Sequence, residues 1–461
     1  MNQIAKTFVL VGLVVIMLLL MHLLPPMSIG NTPLRSVDIL SDVFKEESEN
    51  EQHANEAKPE KTLPKGKGEG GREAFKDSIP AGVTPIEDFS EGKAGGMNSF
   101  YTILEKSKQL GRPVRIAYFG DSFIEGDIYT CDLREMLQAE YGGYGPGWID
   151  AGSALNKGFR RTIIQHVNGI REHLVVKHPF NSRVQGLNQR YYIPEEGARL
   201  ATETTQLMPH ANRWQVARLF FRSDGLTITS QIKGKAATTK TFGSSDRLQM
   251  LESRGETEGI SYSFSNISSD TYLYGMSLES EQGIILDNYS MRGSAGYTLA
   301  NIPSSTLSDF AHMRPLDLII LHFGLNVVNE KSRINELKTY CKRMQKAVNV
   351  LRTAFPSAAI LVMGVPDRSQ RTADGITTMP NIKLMIDCQR EMASTCKVAF
   401  YNLFEAMGGK GSMKRLVEQG YANKDYTHIN PKGGKVIARH VFESLRNGYE
   451  NYLRRKANQH E

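Results

Sequence analysis

Three residues far apart in the chain are of the types needed for nucleophilic catalysis: Ser122, Asp425 and His428. A serine hydroxyl becomes a useful nucleophile when a base takes its proton, and the base works better when an acid orients it. Ser122 lies in VRIAYFGDSFIEGD, residues 114–127, where Val114, Ile116 and Tyr118 alternate with Arg115 and Ala117. This period of two predicts a strand, and Gly120-Asp121 breaks it just before the serine. The hydroxyl then sits at the carboxyl end of a buried strand, where open α/β sheets keep their sites, and the following N–H groups are available to an anion. Gly, Asp and Ser are equally the residues of an ordinary turn, so the triplet alone does not decide. Asp425 and His428 stand in KDYTHINPKGGK, residues 424–435, where DxxH puts base and orienter on one short loop. Without a partner, the same loop is a solvated turn before a final helix predicted over 435–449. A third stretch, LIILHFGLN at 318–326, reads as an apolar strand ending in Gly324 and Asn326.

The elements that must position these residues alternate in type. Helices are predicted over 97–110, 128–141, 334–355 and 381–395, and strands over 283–287, 316–323, 359–364 and 398–403. That alternation predicts an α/β fold with a parallel sheet covered on both faces. The stretch 145–150 reads as a glycine-rich loop on the presumed site face, making Trp148 a candidate to line it, although an aromatic beside such a loop more often packs. Asp367 and Arg368 follow the strand at 359–364, and an internal ion pair is the expected role. From about 169 to 281 the texture changes to short alternating runs such as WQVARLFFRS and GLTITSQIKG, separated by polar and glycine turns. This predicts an antiparallel β-sandwich inserted into the α/β fold.

Four blocks, in order and at strand ends, resemble those of the SGNH (GDSL-type) hydrolases. Gly120-Asp121-Ser122 matches the first block, and Asn288 through Gly296 (NYSMRGSAG) looks like the second. Gly324-Leu325-Asn326 matches the third, and Asp425 through His428 the fifth. The third block lacks the aspartate of GxND, with Val327 in its place, and the first continues as FIEGD. The resemblance implies a three-layer fold in which Ser122 is the nucleophile, His428 the base and Asp425 its orienter. It also implies oxyanion donors from the backbone of Ser122 and Gly293 and the side chain of Asn326. Asp121, Trp148 and Arg292 are further candidates to line the substrate. The arrangement is similar to peptidoglycan O-acetylesterases, whose SGNH domain carries an inserted carbohydrate-binding-like β module. Here that module is read either as a glycan contact or as a structural lid.

With 461 residues, the chain is long enough for two folded units and extras. Its formal charge of +7 is scattered, without a basic stripe interleaved with aromatics, so nucleic acid is not expected as a partner. Residues 8–24, FVLVGLVVIMLLLMHLL, are uncharged and follow Lys6. Their length is at the short edge of a spanning helix. No A-x-A site follows, so an uncleaved signal anchor is favoured over a cleaved signal peptide, with the rest exported to the periplasmic side. Residues 44–80 are rich in Glu, Lys and Gly and nearly lack large apolar side chains, as in a flexible tether. The expected organisation is an anchor at 1–30, a linker at 31–85, hydrolase parts at 86–168 and 283–455, and the β module at 169–282. Cys388 and Cys396 could pair after export, but Cys131, Cys341, Cys388 and Cys396 serve equally as buried thiols. No metal spacing is present, and neither metal nor cofactor is expected. The reading that emerges is an esterase removing O-acetyl groups from a cell-envelope glycan, most specifically peptidoglycan. Its rivals are an O-acetyltransferase served by a membrane-bound acyl-transfer partner, and a non-enzymatic glycan-binding protein with a relic site.

Overall fold

The strands of the α/β part form one sheet from β1 (Ile86–Asp88), β2 (Val114–Gly120), β3 (Ile284–Ser290), β4 (Leu318–His322), β5 (Ala359–Met363) and β6 (Ala399–Tyr401). Their spatial order is β3-β2-β4-β5-β6-β1. Neighbours are parallel except for β1, which runs antiparallel to β6 at the edge. Every residue of β2, β4 and β5 is buried, as expected of central parallel strands covered on both faces. The helices are α1 (Met97–Glu105), α2 (Thr130–Tyr141), α3 (Ser304–Met313), α4 (Ile334–Ala354), α5 (Ile382–Cys396) and α6 (Pro431–His460). They pack as two groups, α6 with α1 and α2, and α4 with α3 and α5, giving the expected three layers. The register matters for the site: Gly120 of β2 is level with Ser290 of β3 and with His322 of β4. Three chain segments therefore leave the sheet side by side at its carboxyl edge.

This computed structural model describes residues 76–92, 95–373 and 375–460, and a separate antiparallel pair, Ser28–Ile29 with Thr32–Pro33. The expected anchor at 8–24 and most of the expected linker lie outside the described residues. Among the described residues no helix is long and apolar enough to cross a membrane. Cys131, Cys341, Cys388 and Cys396 are free and buried. Cys388 and Cys396 share α5, eight positions apart, so the helix itself holds them roughly 12 Å apart along its axis, too far for a disulfide.

The antiparallel strands join into one hydrogen-bonded sheet of nine. Ile163–Leu174, Arg190–Thr204, Gly259–Ser265, Leu226–Ile232 and Thr238–Phe242 form one half. Gly147–Asp150, Tyr272–Glu279, Trp214–Ser223 and Ser245–Thr257 form the other, and the two meet through Leu273 opposite Tyr192. A single apolar cluster, including Leu200, Ile228 and Phe264 from the first half and Leu219, Phe221 and Met276 from the second, unites them. Two expectations change here. The boundary expected at 169 falls inside the strand Ile163–Leu174, because Gly169 is a β-bulge with φ of 69° and not a turn between elements. The glycine-rich stretch before Trp148 is not an open loop but leads into a strand pairing with Tyr272–Glu279. A Cβ on Gly145 or Gly147 would collide with the backbone oxygens of Leu278 or Leu286, so these glycines permit close approach.

Buried charges tie this sheet to the α/β core. Arg314 reaches Glu279, at the end of the Tyr272–Glu279 strand, at 2.9 Å and Asp287 of β3 at 2.8 Å. Arg115 of β2 reaches Glu279 at 2.7 Å, and Arg218 also pairs with it. Asp287 further accepts the Trp148 N–H at 2.9 Å. Burial opposes ionisation of Glu279, but Arg115 and Arg314 outweigh it and hold its carboxyl well below the usual range. Removing one member of such a network strands the others without partners in a low dielectric. Arg314→Met is expected to destabilise the fold by about 3–5 kcal/mol, read from the denaturant midpoint; an unchanged midpoint would show that the network does not support the fold.

Candidate active site

The position of Ser122 follows from β2. Its last residue is Gly120, where a Cβ would lie 2.9 Å from the Ile124 side chain and 3.1 Å from the His322 carbonyl. A larger residue would have to push Ile124 aside and crowd that carbonyl, which glycine avoids. Asp121 then closes the turn by accepting the Phe123 N–H at 2.9 Å, and Ser122 opens a short 3-10 segment, Ser122–Asp127. The base arrives from the other end of the chain. Tyr426 adopts φ of 54°, which folds the DxxH segment back on itself. The Asn430 side chain accepts the N–H groups of Lys432 and Gly433, capping α6 with Pro431 at its first position. A Cβ on Gly433 would collide with the Tyr421 carbonyl, and one on Gly434 with the Ile128 carbonyl. Gly434 therefore lets the start of α6 lie against the segment that follows Ser122, and Gly433 lets it lie against the loop that leads to His428.

The result brings together all three residues expected to do chemistry. Ser122 Oγ is 2.9 Å from His428 Nε2, and His428 Nδ1 is 2.7 Å from Asp425 Oδ2. Asp425 Oδ1 also accepts the N–H groups of Thr427 and His428 at 3.0 Å. Partial burial works against its ionisation, but these donors and the imidazole outweigh it and hold the carboxyl below its usual range. A neutral ring protonated at Nδ1 donates to Asp425 and leaves Nε2 to accept from Ser122. The His428 and Asp425 side chains remain 39% and 49% exposed.

The loops leaving β3 and β4 flank Ser122. Gly293 has φ of 76°, and nothing lies within 4 Å of where its Cβ would be. Gly296, three residues on, is different, because its Cβ would meet the Phe323 ring at 2.5 Å. Of the two glycines, 293 borders open space and 296 is a packing position. Asn326 Nδ2 donates to Asp121 Oδ2 and to the Ser294 carbonyl, each at 3.0 Å. Both of its N–H bonds are thus engaged, and meeting an oxyanion requires exchanging one of these acceptors.

The substrate-lining candidates fare differently. Asp121 is 2% exposed and accepts Asn326 instead of lining an opening; burial pushes its carboxyl up to about 6. Trp148 is fully buried against Phe220, Tyr289 and Phe310, because its strand belongs to the β module. Arg292 is exposed and pairs with Glu125, joining the second-block loop to the nucleophile's segment. Asp367 and Arg368 do not pair with each other: Asp367 accepts Thr378 and the Met413 N–H, while Arg368 donates to the Leu325 and Val328 carbonyls. Each points to a different neighbour across the turn. Among the described residues no group of three His, Cys, Asp or Glu side chains is placed to hold a metal.

Residues of the β module that sequence reasoning missed also brace the site. Arg190, buried and paired with Asp150 at 2.7 Å, donates to the Ser290 carbonyl at 2.5 Å. Gln185 donates to the Asn301 carbonyl at 3.0 Å, and Thr298 bonds Gln189. From inside the core, Asn288 donates to the Ile124 carbonyl and to Thr130. An arginine inside RYYIP was the one available signal, since a charge in an apolar run needs a buried partner.

No protein-family model matches the chain, and no curated protein matches it. Among solved structures, a peptidoglycan O-acetylesterase superposes with a TM-score of 0.64 at 21% identity, over 79% of this chain and 99% of that one. An acetyl xylan esterase matches over 35% of this chain and 81% of its own, at 16% identity and a TM-score of 0.28. A carbohydrate esterase family 3 protein from Talaromyces cellulolyticus covers 36% of this chain and 72% of its own, at 16% identity and 0.26. The first shows the fold: this chain shares its overall fold with that esterase along nearly the whole of the esterase's length.

The two glycines give a test of the local geometry. Gly293→Ala is expected to cost about 1 kcal/mol, from its left-handed backbone alone. Gly296→Ala must in addition displace Phe323 and is expected to cost clearly more in urea denaturation. A larger loss at 293 than at 296 would contradict the assignment of 293 as the open position.

Proposed function

We propose that this protein is a serine esterase that removes O-acetyl groups from a cell-envelope glycan, and that peptidoglycan is its substrate. The observation that carries the reading is the continuous hydrogen-bonded relay from Ser122 through His428 to Asp425 at a sheet edge. In this reading Ser122 Oγ attacks the acetyl carbonyl carbon while its proton passes to His428 Nε2. The developing oxyanion is met by the N–H groups of Ser122 and Gly293 and by Asn326 Nδ2, which trades its bond to Asp121 or Ser294 for the new one. Collapse breaks the carbon–oxygen bond to the sugar, whose oxygen takes the proton from His428 and leaves. A water, deprotonated by the same imidazole, then releases acetate and restores Ser122. Asp425 holds the ring in the tautomer that this sequence needs.

Hydrolysis is favoured over transfer to a second sugar because the base and its orienter are open to water, whereas a transferase must keep water from the acyl-enzyme. For peptidoglycan the support is the shared fold with a peptidoglycan O-acetylesterase along nearly that protein's whole length. For location the support is the apolar run at 8–24, read as an anchor holding the enzyme on the exported side of the inner membrane, with the polar stretch after it as tether.

The test is acetate release from O-acetylated peptidoglycan. The protein is expected to release acetate, and Ser122→Ala to lose at least about 10³-fold of that rate with its fold unchanged. Release from other acetylated glycans but not from peptidoglycan would move the substrate elsewhere. Release from no acetyl ester at all would overturn the esterase reading.

A further inference from the structure

We propose that the cleft beside Gly293 and Asn326 is a subsite for a carboxylate carried by the glycan, an inference that deepens the esterase reading and rests on it. The cleft, of about 610 Å³, opens between the loop after β3 and the first half of α4, and its lining runs from Gly293 and Asn326 to Arg343. On α4, positions 336, 340 and 343 recur at helical spacing and so share a face.

Arg343 is the charge that marks this cleft. Its guanidinium carbon lies 3.3 Å above the centroid of the Tyr297 ring, which fixes the plane of the fork. The other arginines around the site are committed: Arg292 to Glu125, Arg190 to Asp150, and Arg368 to two backbone carbonyls. Among the described residues Arg343 has neither a carboxylate partner nor a hydrogen-bond acceptor. A guanidinium stacked on a ring presents its N–H donors edge-on, and that edge matches the two oxygens of a carboxylate.

A second group lines the same cleft. Tyr340 is 4% exposed and its buried hydroxyl has no hydrogen-bond partner among the described residues. A sealed, unsatisfied hydroxyl is uncommon because it has lost water without gaining a partner. Burial above all keeps this phenol protonated, so it has an O–H to give. One acidic side chain, Glu336, also lines the cleft and keeps its charge there; its Oε2 accepts the Arg333 N–H at 3.0 Å, which holds it at the cap of α4. The first turn of α4 adds the positive end of the helix dipole to the same wall. Guanidinium and helix start together fit an acidic sugar substituent bound while the neighbouring acetyl ester meets Ser122, and the sealed Tyr340 hydroxyl joins them once its side chain turns into the cleft.

Two glycans supply that chemistry, one with uronic acid residues and one with the lactyl and peptide carboxylates of peptidoglycan. The experiment compares O-acetylated oligouronates and O-acetylated peptidoglycan fragments, each beside a counterpart whose carboxylates are amidated. For the glycan that fits, amidation is expected to raise KM of the wild-type protein at least tenfold with little change in kcat. Arg343→Gln is expected to abolish that difference between acid and amide, and Arg343→Lys to restore part of it. A general weakening of the fold would affect both substrates alike, so an acid-to-amide ratio that survives in Arg343→Gln would overturn the proposal, as would a wild-type protein indifferent to amidation in both glycans. Calorimetric binding of the deacetylated fragments to Ser122→Ala, with and without Arg343→Gln, reads the subsite without turnover. A tenfold weaker affinity in the double variant supports it even if no ester is cleaved, which would condemn the esterase reading alone; equal affinities would overturn the subsite.

Discussion

The hydrogen bond between Ser122 and His428 joins residues 306 positions apart, and the whole site depends on how closely the chain can bring its two ends together. That closeness is a steric matter before it is an electrostatic one. Gly433 and Gly434 lack the Cβ atoms that would strike the Tyr421 and Ile128 carbonyls, so α6 can begin between the loop before His428 and the segment that follows Ser122. On the other side, Gly120 removes the Cβ that would strike Ile124 and the His322 carbonyl. Glycines usually weaken helices and strands through backbone entropy. Here three of them give up that stability for contact between backbones, and the imidazole and hydroxyl meet as a consequence.

The same dependence explains why the β module belongs to the site. The described residues from 76 onward form one compact unit, and the two sheets meet through buried aromatic contacts, such as Trp148 with Tyr289 and Phe310, and through buried charges. The salt bridges from Arg314 to Glu279 and Asp287 fix the direction of β3. Three residues after Asp287, Arg190 of the module donates to the Ser290 carbonyl, just before the loop that carries Gly293. A carboxylate and a guanidinium in such surroundings are worth little as isolated pairs, but they specify one arrangement because any other leaves a charge unpaired. The loop after β3 is therefore held from two directions, by Asn288 inside the α/β core and by Arg190 from the module.

Much of this was legible in the sequence because it is local. The alternation of 114–119 is the strand β2, and the DxxH spacing is enough to put Asp425 Oδ2 on His428 Nδ1 within one loop. The long amphipathic pattern at 334–355 is α4 to within a residue. What was not legible depends on partners distant in sequence. The edge strand β1 is three residues long and pairs antiparallel to β6, too short for a periodic signal. Gly169 and the glycines before Trp148 look like turn residues, and their true roles, a bulge and close backbone contacts, require knowing which strand lies opposite. Asp121 and Asn326 illustrate the same limit within the site. Their types suggested contact with substrate, whereas in the folded protein they first satisfy each other.

The central claim is that Ser122 is a nucleophile activated by His428. Treatment with diisopropyl fluorophosphate followed by intact-mass and peptide analysis reads this directly. The account predicts one phosphoryl adduct per chain, carried on Ser122 and absent from His428→Ala at the same reagent concentration. A protein that takes no adduct, or takes it on another residue, would contradict it.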